Sequence, residues 1–402
     1  MPSDGRSAAR LLWLTLADPE PRHNGQFIYS GGLIDTIRAT GGEVEVLGLR
    51  RPESPKSNGA REDSVVWWLP ADSPRSRWGS LASPLPHIAY RCRTAGMRRT
   101  LDELLERGDW DGIVFDGISV GWALSRVLAF YAGRRRRPRL VYVSHNHEES
   151  VRSRIAERQP LFLKRQATRL DAFKVSRLER ALVDSVDLVT AITAEDLSLY
   201  RQRRGGKPMD VLTPGYCGRR VERRRISTET PRRAVIVGSF DWIAKRMNLA
   251  EFVEVADPVF AEAGIELMAI GSADEAFLAQ LRRGARATRF TGTVPAITPF
   301  LDDARIAIVP ERSGGGFKLK TLEYVFNRVP IFALSGSFAG VPLRHGDSAM
   351  LFPDYLALAK GVRDAIDDVA LLDGLQERAF AACRDGFDWA TRGRRILSAI
   401  AG

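Results

Sequence analysis

The residues best equipped for chemistry in this 402-residue chain lie close together: Gly314, Gly315, Gly316, Lys318, Lys320 and Glu323. Three glycines let backbone approach a ligand closely. Behind them Leu319, Leu322, Val325 and Phe326 recur at helical spacing, so free N–H groups and a positive dipole end face whatever occupies the loop. Lysines in a first helical turn oppose that dipole unless an anion is bound there. Lys320 and Glu323 stand three apart, on neighbouring parts of one helix face. Cations and N–H dipoles suit a diphosphate, and a carboxylate beside them suits hydroxyl groups. The plainer reading is a flexible turn followed by a solvated Lys–Glu pair. No Gly-Lys-Ser/Thr closes the glycine run, and no G-x-G-x-x-G follows the first strand, so neither a P-loop nor a nicotinamide site is supported.

Such a loop needs strands to hold it. The short apolar runs at 306–309 and 329–334 read as buried parallel strands on either side. The same alternation runs along the whole chain. Strands are expected at 11–16, 43–49, 65–69, 112–115, 140–143 and 186–192, then at 234–237, 265–270 and 288–291. Helices are expected at 27–40, 87–107 (basic and amphipathic), 148–182 (Arg-rich), 249–263, 275–283 and 297–302. Residues 51–63 and the run Arg134-Arg135-Arg136-Arg137 read as exposed loops. Residues 219–231 are charged and poor in apolar side chains, which suits a linker. Two successive α/β halves predict two doubly wound sheets facing across a cleft, with domains at 1–218 and 232–386.

Composition is that of a globular protein, 44% hydrophobic and 27% charged. Cys92, Cys217 and Cys383 lack metal-ligand spacing, and a reducing compartment is expected. The apolar run after Arg10 gives way to Asp18-Pro19-Glu20-Pro21 and reads as a first strand rather than a signal peptide. The net charge of +11 is uneven: residues 1–225 carry 39 Lys and Arg against 27 Asp and Glu, the remainder 21 against 22. That asymmetry suits an anionic partner for the first half, although a general preference for arginine produces the same excess.

Several segments in order then resemble glycosyltransferases of the GT-B fold, most similar to the retaining family 4. They are Asn24-Gly25, Ser144-His145-Asn146-His147-Glu148, residues 179–196, Gly238-Ser239-Phe240-Asp241-Trp242-Ile243-Ala244-Lys245, and Phe290-Thr291-Gly292-Thr293-Val294. The resemblance covers nearly the whole chain and implies two Rossmann-like domains, with residues 387–402 forming a helix that crosses back toward the first. It implies that Gly25 lies in a loop contacting donor phosphate and acceptor, and that His145 lies beside the transferred sugar. Gly238 would lead a donor loop ending in a diphosphate-binding Lys245, and Gly292 would lie in the turn contacting the base. Gly315, Gly316, Lys318, Lys320 and Glu323 would complete donor binding. The chain departs from the family at Ser239, where an arginine is usual, and at Gly315, where the first of two glutamates is usual. A subset of the family with glycines, and a lysine three before the retained glutamate, fits better.

The implied chemistry moves a sugar from a nucleotide diphosphate to an acceptor hydroxyl, with retention of configuration. Negative charge grows on the departing diphosphate, and preorganised cations lower that barrier. His145, Lys245 and Lys320 are the expected catalytic groups, and Glu323 suits ribose hydroxyls. No D-x-D follows a strand, so neither metal nor cofactor is expected; the substrate would be a UDP- or GDP-linked sugar. Expected partners are a glycan, lipid-linked or small-molecule acceptor, and peripheral contact with anionic membrane at its cytoplasmic face. Nucleic acid is not expected, since no interleaved aromatics mark a stacking platform. Two alternatives stand beside this: a GT-B sugar-nucleotide epimerase, and a basic binding protein with a decayed transferase site.

Overall fold

The apolar runs pair as two separate, mainly parallel sheets. The structure, a computed structural model, describes residues 8–22, 24–76, 78–157, 159, 161–203, 206–241, 243–312 and 317–401. The chain divides into two units, one of residues 1–215 with 388–402 and the other of residues 216–387.

The first unit holds β1 (Arg10–Ala17), β2 (Glu43–Leu49), β3 (Ala60–Glu62), β4 (Val65–Trp68), β5 (Gly112–Asp116), β6 (Arg139–Ser144), β7 (Leu188–Ala191) and β8 (Met209–Val211). Their order is β3-β4-β2-β1-β5-β6-β7-β8, parallel except for β3 on β4. Leu11, Leu12, Trp13, Val114 and Phe115 are fully buried, as strands covered on both faces require. The order reverses between β1 and β5, and in such sheets ligand crevices open where the loops after those strands diverge.

The second unit holds β9 (Arg233–Val237), β10 (Glu266–Ile270), β11 (Thr288–Gly292), β12 (Ile306–Val309), β13 (Ile331–Leu334) and β14 (Met350–Phe352), ordered β11-β10-β9-β12-β13-β14 and parallel throughout. Its reversal falls between β9 and β12. The loop leaving β9 runs toward Lys245 and the loop leaving β12 toward Lys320, so both lysine-bearing connections leave the same crevice.

Several expectations need correction. The helix expected over 87–107 is two, His87–Cys92 and Ala95–Arg107, because the Thr94 hydroxyl accepts from the N–H of Met97 and caps a new start. The Arg-rich stretch is also two helices, Glu148–Glu157 and Phe162–Ser185; Pro160 in the sequence disfavours helix at the residue before it. The loop expected over 51–63 contains β3, which pairs antiparallel with β4. The helix after β9 starts at Ile243, not 249, and so takes in Lys245. Residues 219–231 group with the second unit rather than standing as a free linker. There Ile226 is buried, the Val221 N–H donates to Phe326 O at 2.8 Å, and the Arg224 guanidinium donates to the carbonyls of Asp302, Ala304 and Arg328. Beyond β13, strand β14 and the helices Tyr355–Ala365 and Val369–Cys383 complete the unit.

The final helix, Trp389–Ala401, belongs to the first unit and packs on the helix Gly25–Ala39. Gly32 and Gly215 make room for the Trp389 indole, since a Cβ on either would lie 2.4 Å from it. The Thr36 hydroxyl also donates to Trp389 O at 2.7 Å.

Candidate active site

In the second unit the carboxyl edge of the sheet carries glycine where side chains would otherwise stand. Gly238 ends the β9 turn, with its N–H on Ile270 O, and the Gly271 N–H bonds Gly292 O at the end of β11. Gly271 has φ +134°, and a Cβ there would lie 1.7 Å from Gly238 O, so only glycine fits. Gly238, Gly271 and Gly292 thus leave adjoining strand ends free of side chains. The Tyr324 hydroxyl reaches back from the helix Leu319–Phe326 and accepts from the Val237 N–H at 2.7 Å, fixing that helix to the same edge.

Over the β9/β12 crevice lies a group of charges. Glu311, two residues beyond β12, forms an ion pair with Lys320, and both side chains are largely buried. Burial pushes the Glu311 carboxyl upward, but the charges of Lys320, Lys318 and Lys245 outweigh it and hold the group below the usual carboxylate range. Lys245 is pushed down, first by burial and then by the charge of Lys320. Three lysines therefore act on one carboxylate. The second oxygen of Glu311, Oε2, is buried and has no hydrogen-bond partner among the described residues. Sequence reasoning passed over Glu311; the available signal was a carboxylate just past the end of a fully apolar strand.

Lys320 and Glu323 do not pair with each other. Glu323 accepts from the Tyr216 hydroxyl at 2.9 Å, with Asn327 Nδ2 at 3.4 Å, and burial raises its pKa while the Tyr216 hydrogen bond opposes that. Ser239, standing where the family has arginine, belongs to a polar knot instead. Its hydroxyl and that of Ser272 each donate to Asp241 Oδ2 at 2.7 Å, holding Asp241 below the usual carboxylate range. Gly315, Gly316 and Trp242 lie outside the described residues.

The first unit has its own group at the β1/β5 crevice. Asn24 caps the helix Gly25–Ala39 by accepting from the Phe27 N–H at 3.1 Å, leaving Gly25 exposed at its start. Asp116, fully buried at the end of β5, accepts from Trp13 Nε1 at 3.1 Å and faces His145 Nε2 at 2.6 Å. Burial raises the Asp116 pKa, yet the His145 charge and hydrogen bond outweigh it and hold the group low. Tyr29 sets its ring edge-on to His145, with centroids 5.3 Å apart. With Nε2 facing Asp116, Nδ1 is the second ring nitrogen of His145. His147 is engaged differently, with Nδ1 2.6 Å from the Ser150 hydroxyl and its ring against Tyr200.

The sequence offers no tight metal-ligand spacing, but the fold brings ligand atoms of His147, Glu149 and Glu179 within 4.8 Å of one another. All three side chains already have partners. Glu179 accepts from the N–H groups of Glu148 and Glu149 and from the Tyr200 hydroxyl, and Glu149 pairs with Arg180. Burial pushes Glu179 up to about 7. Its structural task is to cap the helix Glu148–Glu157, which follows the His145 segment.

A family model described as "Glycosyl transferase 4-like domain" matches residues 24–216, and one described as "Glycosyl transferases group 1" matches residues 231–368. The chain belongs to the GT-B glycosyltransferases. Solved structures agree on the fold. Sucrose-phosphate synthase from Thermosynechococcus elongatus superposes with a TM-score of 0.69 at 16% identity, over 97% of this chain and 98% of that one. WaaG, a glycosyltransferase involved in lipopolysaccharide biosynthesis, gives 0.66 at 16% identity, over 98% and 100%. Anabaena HepE in complex with UDP-glucose gives 0.62 at 12% identity, over 98% and 99%. At such identities the likeness carries the fold and not the substrate. No curated protein sequence matches this glycosyltransferase.

Proposed function

We propose that this glycosyltransferase takes its sugar from a nucleoside diphosphate, UDP- or GDP-linked, and passes it to an acceptor hydroxyl with retention and without a metal ion. The observation that carries the reading is the excess of lysine over carboxylate at the β9/β12 crevice. Lys245, Lys318 and Lys320 face one buried Glu311, an arrangement that a bound diphosphate would neutralise. Lys245 and Lys320 stabilise the leaving diphosphate, and Glu323, held by Tyr216, accepts from ribose hydroxyls. Gly238, Gly292, Gly315 and Gly316 admit the nucleotide closely, and Gly25 plays that part in the first unit. His145 acts through Nδ1 on a sugar or acceptor hydroxyl. HepE, with its UDP-glucose, favours uridine as the base to test first.

Calorimetric titration with UDP, GDP, ADP and dTDP tests the donor, with Lys320→Ala and Glu323→Ala beside the wild type. Binding of one nucleotide, lost in both variants and unchanged by chelator, is expected; no binding to any of them sinks the reading. Retention is checked by the anomeric configuration of the product.

A glycan or lipid-linked acceptor at the cytoplasmic face of a membrane goes with a second feature. The helix Phe162–Ser185 exposes Phe162, Leu163, Leu170 and Phe173 beside exposed Lys164 and Arg169. Apolar and basic groups together suit an anionic bilayer surface. Among the described residues no helix is long and apolar enough to cross a membrane, so contact would be peripheral. Co-sedimentation with phosphatidylglycerol vesicles, but not with phosphatidylcholine vesicles, and its loss in high salt are the expected results.

A further inference from the structure

The first unit contains a second cationic group that the assigned roles leave unused. Asp72, Arg75, Arg93, Thr94 and Arg98 line a cavity of about 580 Å³ between the segment after β4 and the start of the helix Ala95–Arg107. A segment that leaves a parallel strand and leads toward a helix start lies at the carboxyl edge of the sheet. That is the edge which also carries Gly25 and His145, after β1 and β6.

The charge balance of the cavity is one-sided. Arg93 is pushed down by partial burial and then by the charges of Arg98, Arg75 and Arg126. Arg126 is neutralised by Asp102, but none of Arg75, Arg93 and Arg98 has a carboxylate partner among the described residues. Arg75 is held by stacking on Tyr90, with its guanidinium carbon 4.0 Å from the ring centroid. Among the described lining residues the one carboxylate, Asp72, is tied to backbone, accepting from the Gly96 N–H at 2.5 Å. Gly96 permits that approach, since a Cβ there would lie 2.3 Å from Asp72 Oδ2. Three guanidinium forks around one concavity, against one carboxylate, leave an excess of two positive charges. Mutual repulsion of this kind is relieved by an oxyanion that accepts from several forks at once.

We propose that Arg75, Arg93 and Arg98 form an oxyanion subsite that takes a phosphate group on the acceptor. Calling the occupant an acceptor rests on the glycosyltransferase reading above; the anion site itself does not. A phosphate fits better than a carboxylate because its dianion matches the excess charge and offers three acceptor oxygens. The cavity is much larger than one phosphate group, leaving room for the sugar that bears it.

The test is calorimetric titration of the full chain with inorganic pyrophosphate, glucose 6-phosphate, glucuronate and glucose, with and without saturating UDP to occupy the donor site. Glucose 6-phosphate or pyrophosphate is expected to bind the UDP-loaded protein, and glucose is not. Arg93→Gln/Arg98→Gln should weaken that binding roughly tenfold or more while leaving UDP affinity unchanged. Failure of both phosphate probes to bind, or equal affinity in wild type and double variant, overturns the proposal. Tighter binding of glucuronate than of either phosphate probe overturns its choice of ligand. If UDP itself fails to bind while the phosphate probes still respond to Arg93 and Arg98, the donor reading falls and the anion site stands.

Discussion

The two crevices solve opposite electrostatic problems. In the first unit, His145 and Asp116 form a closed pair: one imidazole, one fully buried carboxylate, and an indole N–H on the remaining oxygen. In the second, Glu311 is shared by Lys320, Lys318 and Lys245, and one of its oxygens has no partner among the described residues. A closed pair orients a side chain and needs no ligand to be stable. An excess of partly buried cations is a standing cost that a bound anion removes. The first unit therefore presents a preoriented imidazole, and the second waits for charge.

The largest expected effect breaks the open cluster. Lys320→Ala leaves Glu311 buried beside fewer cations and should lower unfolding free energy by about 3–5 kcal/mol in chemical denaturation. Adding Glu311→Gln to the same chain should recover much of that loss, because no buried carboxylate is then left without its ion-pair partner. Full independence of the two changes would show that the ion pair is not coupled. Next, His145→Ala should reduce turnover by about a hundredfold or more while UDP affinity stays the same. A parallel loss of UDP affinity would mean that the two crevices do not divide the work as assigned. Glu323→Gln should weaken UDP binding roughly tenfold, and Tyr216→Phe by less, since Tyr216 acts only through Glu323.

The smallest effect concerns pH and sharpens the first unit. Glu179 has a folded pKa of about 7, above its ordinary 4.5, so its stabilising contribution is complete below pH 4.5 and is lost as pH rises through about 7. The melting temperature should fall accordingly between pH about 5 and about 8, and Glu179→Gln should flatten that slope. An unchanged slope in the variant would assign the dependence to other groups.

Much of this was legible in the residue order. Period and β-branching marked nearly every strand near the sites, because a strand buried on both faces must be apolar along its length. The departures at Ser239 and Gly315 could also be seen in the sequence, once it is set beside the motifs of the family it resembles. The helix breaks at Thr94 and near Pro160 could not be placed by amphipathic period, since a capping hydroxyl or an imide ring interrupts a helix without altering the pattern of apolar residues.

Local sequence determined where chain meets edge: apolar strand, glycine, then a charged helix start, repeated from one unit to the next. Only tertiary structure decided which charges share a crevice. Glu311 and Lys320 are nine residues apart, Asp116 and His145 twenty-nine, Tyr216 and Glu323 more than a hundred. Periodicity is a property of neighbours along the chain, whereas the strand order β9-β12 and β1-β5-β6 is set by how whole sheets bury both faces. That order, and no spacing in the sequence, makes Glu311 the partner of the lysines and Asp116 the partner of His145.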